Sequence, residues 1–232
     1  LLRRLRRTVH TVMDNVAGEL MDSDFVPLSF ELEFGGKGKL PAITIQEAGN
    51  TLSVSGKVDR VDGWLDGDKL YLRVVDYKTG KKSFDLADLC HGLNAQMLLY
   101  LFTLEREGRA LYGHDIIPAG VLYLPARDVI LHMDRGATPE QLRRAVDKEL
   151  RRSGLLLGDN RVLTAMEHAA LEEPRYLPLS LDRSHNITRG IASAEQLGKL
   201  SRYVDSLLHQ IAQELGEGNI DADPCWRGEA DN

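Results

Sequence analysis

Only two cysteines occur among the 232 residues, Cys90 and Cys225. They lie far apart in the chain, so no disulfide framework holds the fold, and a reducing cytoplasm is the expected location. No apolar run approaches the roughly 18 residues of a membrane-spanning helix, so no membrane association is expected. The opening Leu1-Leu2-Arg3-Arg4-Leu5-Arg6-Arg7 lacks the apolar centre and small-residue cleavage site of a signal peptide. It also lacks an initiator methionine, and the expectation is a piece of a longer polypeptide. There is no internal repeat, no low-complexity tract and no Walker-type phosphate loop, so any use of ATP belongs to other parts of a complex. His91, His114, His132, His168, His185 and His209 show no His-x-x-x-His spacing, and they read as structural or exposed.

What is present suits a globular fold with a substantial core, since hydrophobic residues make up 43% of the chain although aromatics are few. The formal net charge of −6 argues against a uniformly basic nucleic-acid binder. The acidity is uneven, however. From Glu214 onward six acids face one arginine, a balance of −5, which leaves the rest near −1 and permits a locally basic groove there.

Taken in order, Leu2, Leu5, Val9, Val12, Met13, Val16 and Leu20 recur at a helical period and predict an amphipathic helix over residues 1–22. Alternation predicts strands at Leu28 to Phe34, Ile43 to Gln46, Thr51 to Val61 and Leu70 to Lys78. The pair Asp66-Gly67 marks the reversal between the last two, within a turn spanning Asp62 to Asp68. A helix follows to about Glu107, then a strand at Ile117 to Leu124 and a short one at Val129 to Met133. Thr138-Pro139-Glu140-Gln141 starts a capped helix running to about Ser153. A helix from Asn160 to Leu171, a strand from Arg175 to Leu181 and a long helix from Ala194 to Leu215 complete the body. The division expected is one domain over 1–215, with a catalytic core at 25–135 and an elaboration at 136–215. An irregular acidic tail, 216–232, leads toward a truncated cysteine region.

The chemistry concentrates in one hairpin. Asp76 and Lys78 are two apart on a strand and so point to the same face, while Tyr77 points to the other. An antiparallel partner brings Asp59 toward Asp76. Two carboxylates beside an ammonium suit metal-assisted phosphodiester hydrolysis, with the acids supplying hard oxygen ligands and the lysine steadying water or the charge on phosphorus. Alternation from Asp59 sends Asp62 to the opposite face, and it reads as a turn residue capping the hairpin rather than a metal ligand. Arg60 either pairs with Asp62 or meets a phosphate. Gln96 and Tyr100, four apart, share a helix face. Arg143, Arg144, Arg151 and Arg152 form a basic helix end suited to the helix dipole.

Gly56-x-Val58-Asp59-Arg60-x-Asp62, Val75-Asp76-Tyr77-Lys78-Thr79-Gly80 and Gln96-x-x-x-Tyr100 resemble the motif series of RecB-like nucleases of the PD-(D/E)XK superfamily. Ala119 to Tyr123, Arg152 to Asp159 and Gly218 to Pro224 resemble the C-terminal nuclease domains of the AddB chains of bacterial AddAB helicase-nucleases. The resemblance implies an α/β fold with a mixed central sheet flanked by helices, a restriction-endonuclease-like core. It implies a magnesium- or manganese-dependent exonuclease acting on DNA in recombinational repair, beside an AddA-type partner. By motif position Asp59, Asp76 and the backbone carbonyl of Tyr77 would be metal ligands and Lys78 the catalytic lysine, with Gln96 and Tyr100 beside the site and the DNA. The family's first motif, a histidine or acid on an early helix, is expected upstream of Leu1, His10 being a poor substitute. Glu31 is a second candidate acid, read as a strand-edge residue. The iron-sulfur cluster that such domains often carry needs several thiolates. With Cys225 alone near the end, a cluster belongs to the full-length protein and is not expected in this chain. Cys90 reads as a small helix residue outside the chemistry. A different class of reading is a nuclease-like module that has lost catalysis and serves DNA holding or subunit docking.

Overall fold

The structure is a computed structural model and describes residues 2–80, 82–131 and 136–221. Helix α1 (Leu2–Met21) leads into strand β1 (Val26–Phe34), the hairpin β2 (Ile43–Glu47) and β3 (Asn50–Val54), and the hairpin β4 (Gly56–Asp66) and β5 (Lys69–Lys78). Then come α2 (Leu86–Leu89), α3 (Ala95–Tyr112), β6 (Asp115–Pro125), α4 (Pro139–Leu150), β7 (Ser153–Leu157) and α5 (Asn160–Met166). The strands β8 (Ser180–Leu181), β9 (Ile187–Arg189) and β10 (Ile191–Ala192) precede α6 (Ala194–Gly216).

Six strands form the central sheet in the order β1-β4-β5-β6-β7-β10. The pairs β1/β4, β4/β5 and β6/β7 are antiparallel, while β5/β6 and β7/β10 are parallel. A parallel step cannot be made by a tight turn, and α3 supplies the crossover between β5 and β6. Its Gly108 lets it lie close to the sheet, since a Cβ there would sit 3.1 Å from Ile116 Cγ1. Helix α1 covers the opposite face, where Glu19 meets Arg60 and Arg73. Met97, Leu98, Leu101, Phe102 and Leu104 bury α3 on several sides, with α6 packed beyond it. The sheet is therefore mixed and flanked by helices, as the resemblance implies.

Several elements depart from the sequence reading. Thr51 to Val61 is split at Ser55 between β3 and β4, which belong to different sheets. The reversal after β4 is tighter than expected: Asp66 pairs directly with Lys69, and Gly67 takes the left-handed turn position at φ +64°. Asp62, expected to cap a turn, is therefore a mid-strand residue opposite Arg73. Helix α4 has the expected cap, Thr138 exchanging hydrogen bonds with Gln141, but it stops at Leu150, and the apolar run Leu155-Leu156-Leu157 enters the sheet as β7. Helix α5 ends at Met166, and only Ser180–Leu181 of the strand expected over Arg175 to Leu181 forms. Val129 to Leu131 is not a strand, and Met133 lies outside the described residues, as do Cys225 and the tail from residue 222. Among the described residues no helix is long and apolar enough to cross a membrane.

Candidate active site

Asp59 and Asp76 sit on the same face of the β4–β5 hairpin, because the register Arg60↔Val75 and Val61↔Val74 places them one step further along the same ladder. Asp59 Oδ2 accepts the backbone N–H of Tyr77 at 2.9 Å, which leaves its other oxygen unclaimed by that bond. Lys78 Nζ lies 2.6 Å from Asp76 Oδ2, the lysine side chain 34% exposed and the aspartate 13%. The lysine is thus at the rim and the acid below it. Asp76 Oδ2 is shut off from solvent and has no well-aligned hydrogen-bond donor, the Lys78 approach being close in distance but poor in angle. A buried carboxylate oxygen in that state is a donor atom waiting for a partner, and two aspartates with a neighbouring carbonyl are the hard oxygen set that magnesium or manganese prefers. The residues present therefore fit a divalent cation, although no group of three or more His, Cys, Asp or Glu gathers anywhere among the described residues.

Tyr123, opposite Asp76 on β6, forms the floor beneath Lys78, whose Nζ lies 5.6 Å from its ring centroid. Burial, reinforced by the Asp76 charge, pushes the Tyr123 phenol up to about 12. It stays protonated at any working pH and is no general base. Beside Lys78 a cleft of about 340 Å³ carries Lys82, Arg127, Lys148 and Arg151 with Glu149 as its acid. Within it Arg127 bonds Glu149 at 2.7 Å, and Arg151 bonds the carbonyls of Leu177 and Pro174. Lys82 and Lys148 are exposed. The larger cleft, about 590 Å³ around Arg143, Arg144 and Arg175, is balanced by Glu140, Asp147, Glu167 and Glu173 and lies away from the hairpin acids.

The other predicted residues are placed differently. Gln96 Nε2 donates to Tyr100 Oη at 2.7 Å, and the Tyr100 ring meets Phe34 edge-on at 5.3 Å beside Gly56. They adjoin the start of β4, but no hydrogen bond or ion pair joins either to Asp59, Asp76 or Lys78. His10 is exposed on α1, and Glu31 pairs on the surface with Lys57. Cys90 is exposed where α2 ends.

The reverse face of the hairpin holds what sequence reasoning missed. Arg60 resolves its two alternatives by pairing with Asp62, Nε to Oδ1 at 2.9 Å and Nη2 to Oδ2 at 3.0 Å. Arg73 Nε reaches Asp62 Oδ2 at 2.9 Å. Glu19 from α1 closes the cluster, with Oε1 3.1 Å from Arg73 Nη2 and Oε2 accepting from Arg152 Nη2 at 2.6 Å. All five side chains are at most 1% exposed. Arg152, expected at a basic helix end, is thus a buried ion-pair residue. Burial alone would raise the Glu19 carboxyl, but Arg73, Arg152 and Arg60 outweigh it and hold it below the usual range. Burial pulls the Arg152 guanidinium down, against Glu19. The missed signal was Arg60 and Asp62 sharing a strand face with Arg73 directly across the hairpin.

A sheet of this order bearing two acids and a lysine on one central hairpin is a nuclease arrangement, and the pattern of the PD-(D/E)XK nuclease superfamily matches residues 1–227: the chain belongs to that superfamily. Among curated relatives, the B subunit of the ATP-dependent helicase/deoxyribonuclease of Acetivibrio thermocellus is 34% identical over 224 residues, covering 95% of this chain and 20% of the relative. The proteins of the same name from Desulforamulus reducens and Clostridioides difficile are 30% and 29% identical, covering 98% and 94% of this chain. The chain spans about a fifth of the length of the curated relatives it matches.

Proposed function

We propose that this chain is the metal-dependent nuclease domain of a larger helicase-nuclease polypeptide and hydrolyses phosphodiester bonds in DNA. Its place would be the processing of double-strand-break ends in recombinational repair, as an exonuclease working beside an AddA-type helicase partner. The observation that carries the reading is the Asp59, Asp76 and Lys78 set on one hairpin face, with Asp76 Oδ2 buried and lacking a donor. Superfamily membership and the names of the relatives supply the substrate and the partner.

Asp59, Asp76 and the carbonyl of Tyr77 would hold magnesium or manganese. When bound, such an ion supplies Lewis-acid polarisation of the phosphate and a more acidic water. Lys78, anchored at Asp76 and half-free at the rim, orients the attacking water and offsets the negative charge that grows on the phosphoryl oxygens. Lys82, Lys148, Arg127 and Arg151 line the route by which the backbone reaches Lys78, a basic path on a chain whose overall charge is negative.

The test is cleavage of end-labelled DNA with magnesium by the parent and by Asp76→Ala. The expected result is metal-dependent cutting by the parent and none by the variant, with both folded. A parent that takes up no manganese and cuts no DNA would instead mark a docking or DNA-holding module.

A further inference from the structure

We infer that the buried ion cluster behind the hairpin positions the metal-binding face in front of it, and that Tyr77 is the residue that couples the two. The inference rests on the reading of Asp59 and Asp76 as metal ligands. Tyr77 is fixed at both ends. Its hydroxyl, on the reverse face, accepts a hydrogen bond from Arg60 Nη1 at 2.9 Å, and its backbone N–H donates to Asp59 Oδ2 at 2.9 Å. The atoms that touch the front of the hairpin are therefore set by a side chain anchored at the back.

Arg60 is a rigid anchor rather than a loose one. Two of its nitrogens are committed to the two oxygens of Asp62, a fork that fixes the plane of the guanidinium and leaves Nη1 aimed at Tyr77. Asp62 is held in turn by Arg73, and Glu19 ties Arg73 and Arg152 to α1, so four parts of the chain bear on one guanidinium. Three buried arginines against two buried carboxylates are a poor device for stability, because desolvation offsets the attraction and an apolar cluster of similar volume does as well or better. What the cluster offers is direction. The hydrogen bond from Tyr77 orients the Asp59 carboxylate and leaves Oδ1 for a cation, and groups that orient a ligand in this manner typically govern metal affinity by roughly 10- to 100-fold.

The experiment is manganese titration followed by electron paramagnetic resonance of the free ion, performed well below the unfolding transition, on the parent, Tyr77→Phe and Arg60→Lys. Tyr77→Phe keeps the ring and the backbone and removes one oxygen. Manganese binding weakened about 10-fold in Tyr77→Phe, whatever its Tm, supports the inference. Affinity equal to the parent's overturns it, including where Tm falls, since that outcome is a purely structural role. Arg60→Lys, which keeps the charge and loses the fork, is expected to weaken binding to a similar degree if it folds, and unchanged affinity there also counts against the coupling. If the parent itself binds no manganese, the assignment of the two acids fails and the coupling fails with it, an outcome separate from equal binding by parent and variant.

Discussion

Lys78 Nζ stands 2.6 Å from Asp76 Oδ2 and 5.6 Å from the centroid of Tyr123, so one ammonium is shared between a buried acid and an aromatic floor. The Lys78→Ala variant removes the ammonium that adjoins the acids on this hairpin face. Cleavage by the variant is expected to fall roughly 10²- to 10³-fold, the loss typical of removing one group that offsets transition-state charge. Because a third of the side chain is exposed, urea unfolding should move little. Parallel cleavage and unfolding curves check both halves.

Asp62→Ala addresses the reverse face. The substitution leaves Arg60 and Arg73 buried without their shared carboxylate, and a loss of about 3 to 5 kcal/mol is expected in urea unfolding. Replacing Lys57, whose pairing with Glu31 is half-exposed, should cost well under about 1 kcal/mol.

Acid sensitivity follows from Glu19. Its folded pKa lies below the ordinary value of 4.5, because the three arginines outweigh the opposing effect of burial. A carboxyl with a depressed folded pKa adds stability that is fully present above the unfolded value and is lost as pH falls through the folded one. Stability should therefore decline below about pH 4.5 toward the lowered folded value. Glu19→Gln is expected to be less stable at neutral pH and to show a flatter decline over that window, measured by urea unfolding at a series of pH values.

Reversing Lys82 and Lys148 to glutamate tests the basic path. DNA affinity in the presence of a chelator, where cleavage does not intervene, should fall, and each reversal should reduce the slope of log K against log salt by at least about 1. Equal slopes for parent and variant would remove the cleft from the DNA route.

Gly56→Ala probes the junction with α3. A Cβ there would lie 2.7 Å from Phe34 Cζ and 3.0 Å from Tyr100 Cε1, so overpacking of about 1 to 3 kcal/mol is expected in thermal or urea unfolding.

The central hairpin was legible because its signals are local. Period-two alternation, the Asp66-Gly67 turn and the two-residue spacing of Asp76 and Lys78 are all read within a few residues. The cap on α4 was legible for the same reason, Thr138 and Gln141 being three apart. What escaped depends on partners distant in sequence. Arg152 looks like one more basic residue after a helix until Glu19, 133 positions earlier, is folded onto it. Likewise Leu155-Leu156-Leu157 has no period to read, as is usual for a strand covered on both faces, and only its pairing with Val121 and Gly120 makes it a strand. Strand alternation did predict that Asp62 leaves the face of Asp59, but not that Arg73 waits for it across the hairpin.

The long reach of the Glu19 to Arg152 bond also has a temporal meaning. The β4–β5 hairpin closes through a turn of two residues, whereas the bond that locks its reverse face must wait until residue 152 exists. Contacts of short sequence separation form early and those of long separation late. During synthesis the acids and lysine would thus be assembled ahead of the scaffold that holds them still, and a growing chain would carry its site before it could use it.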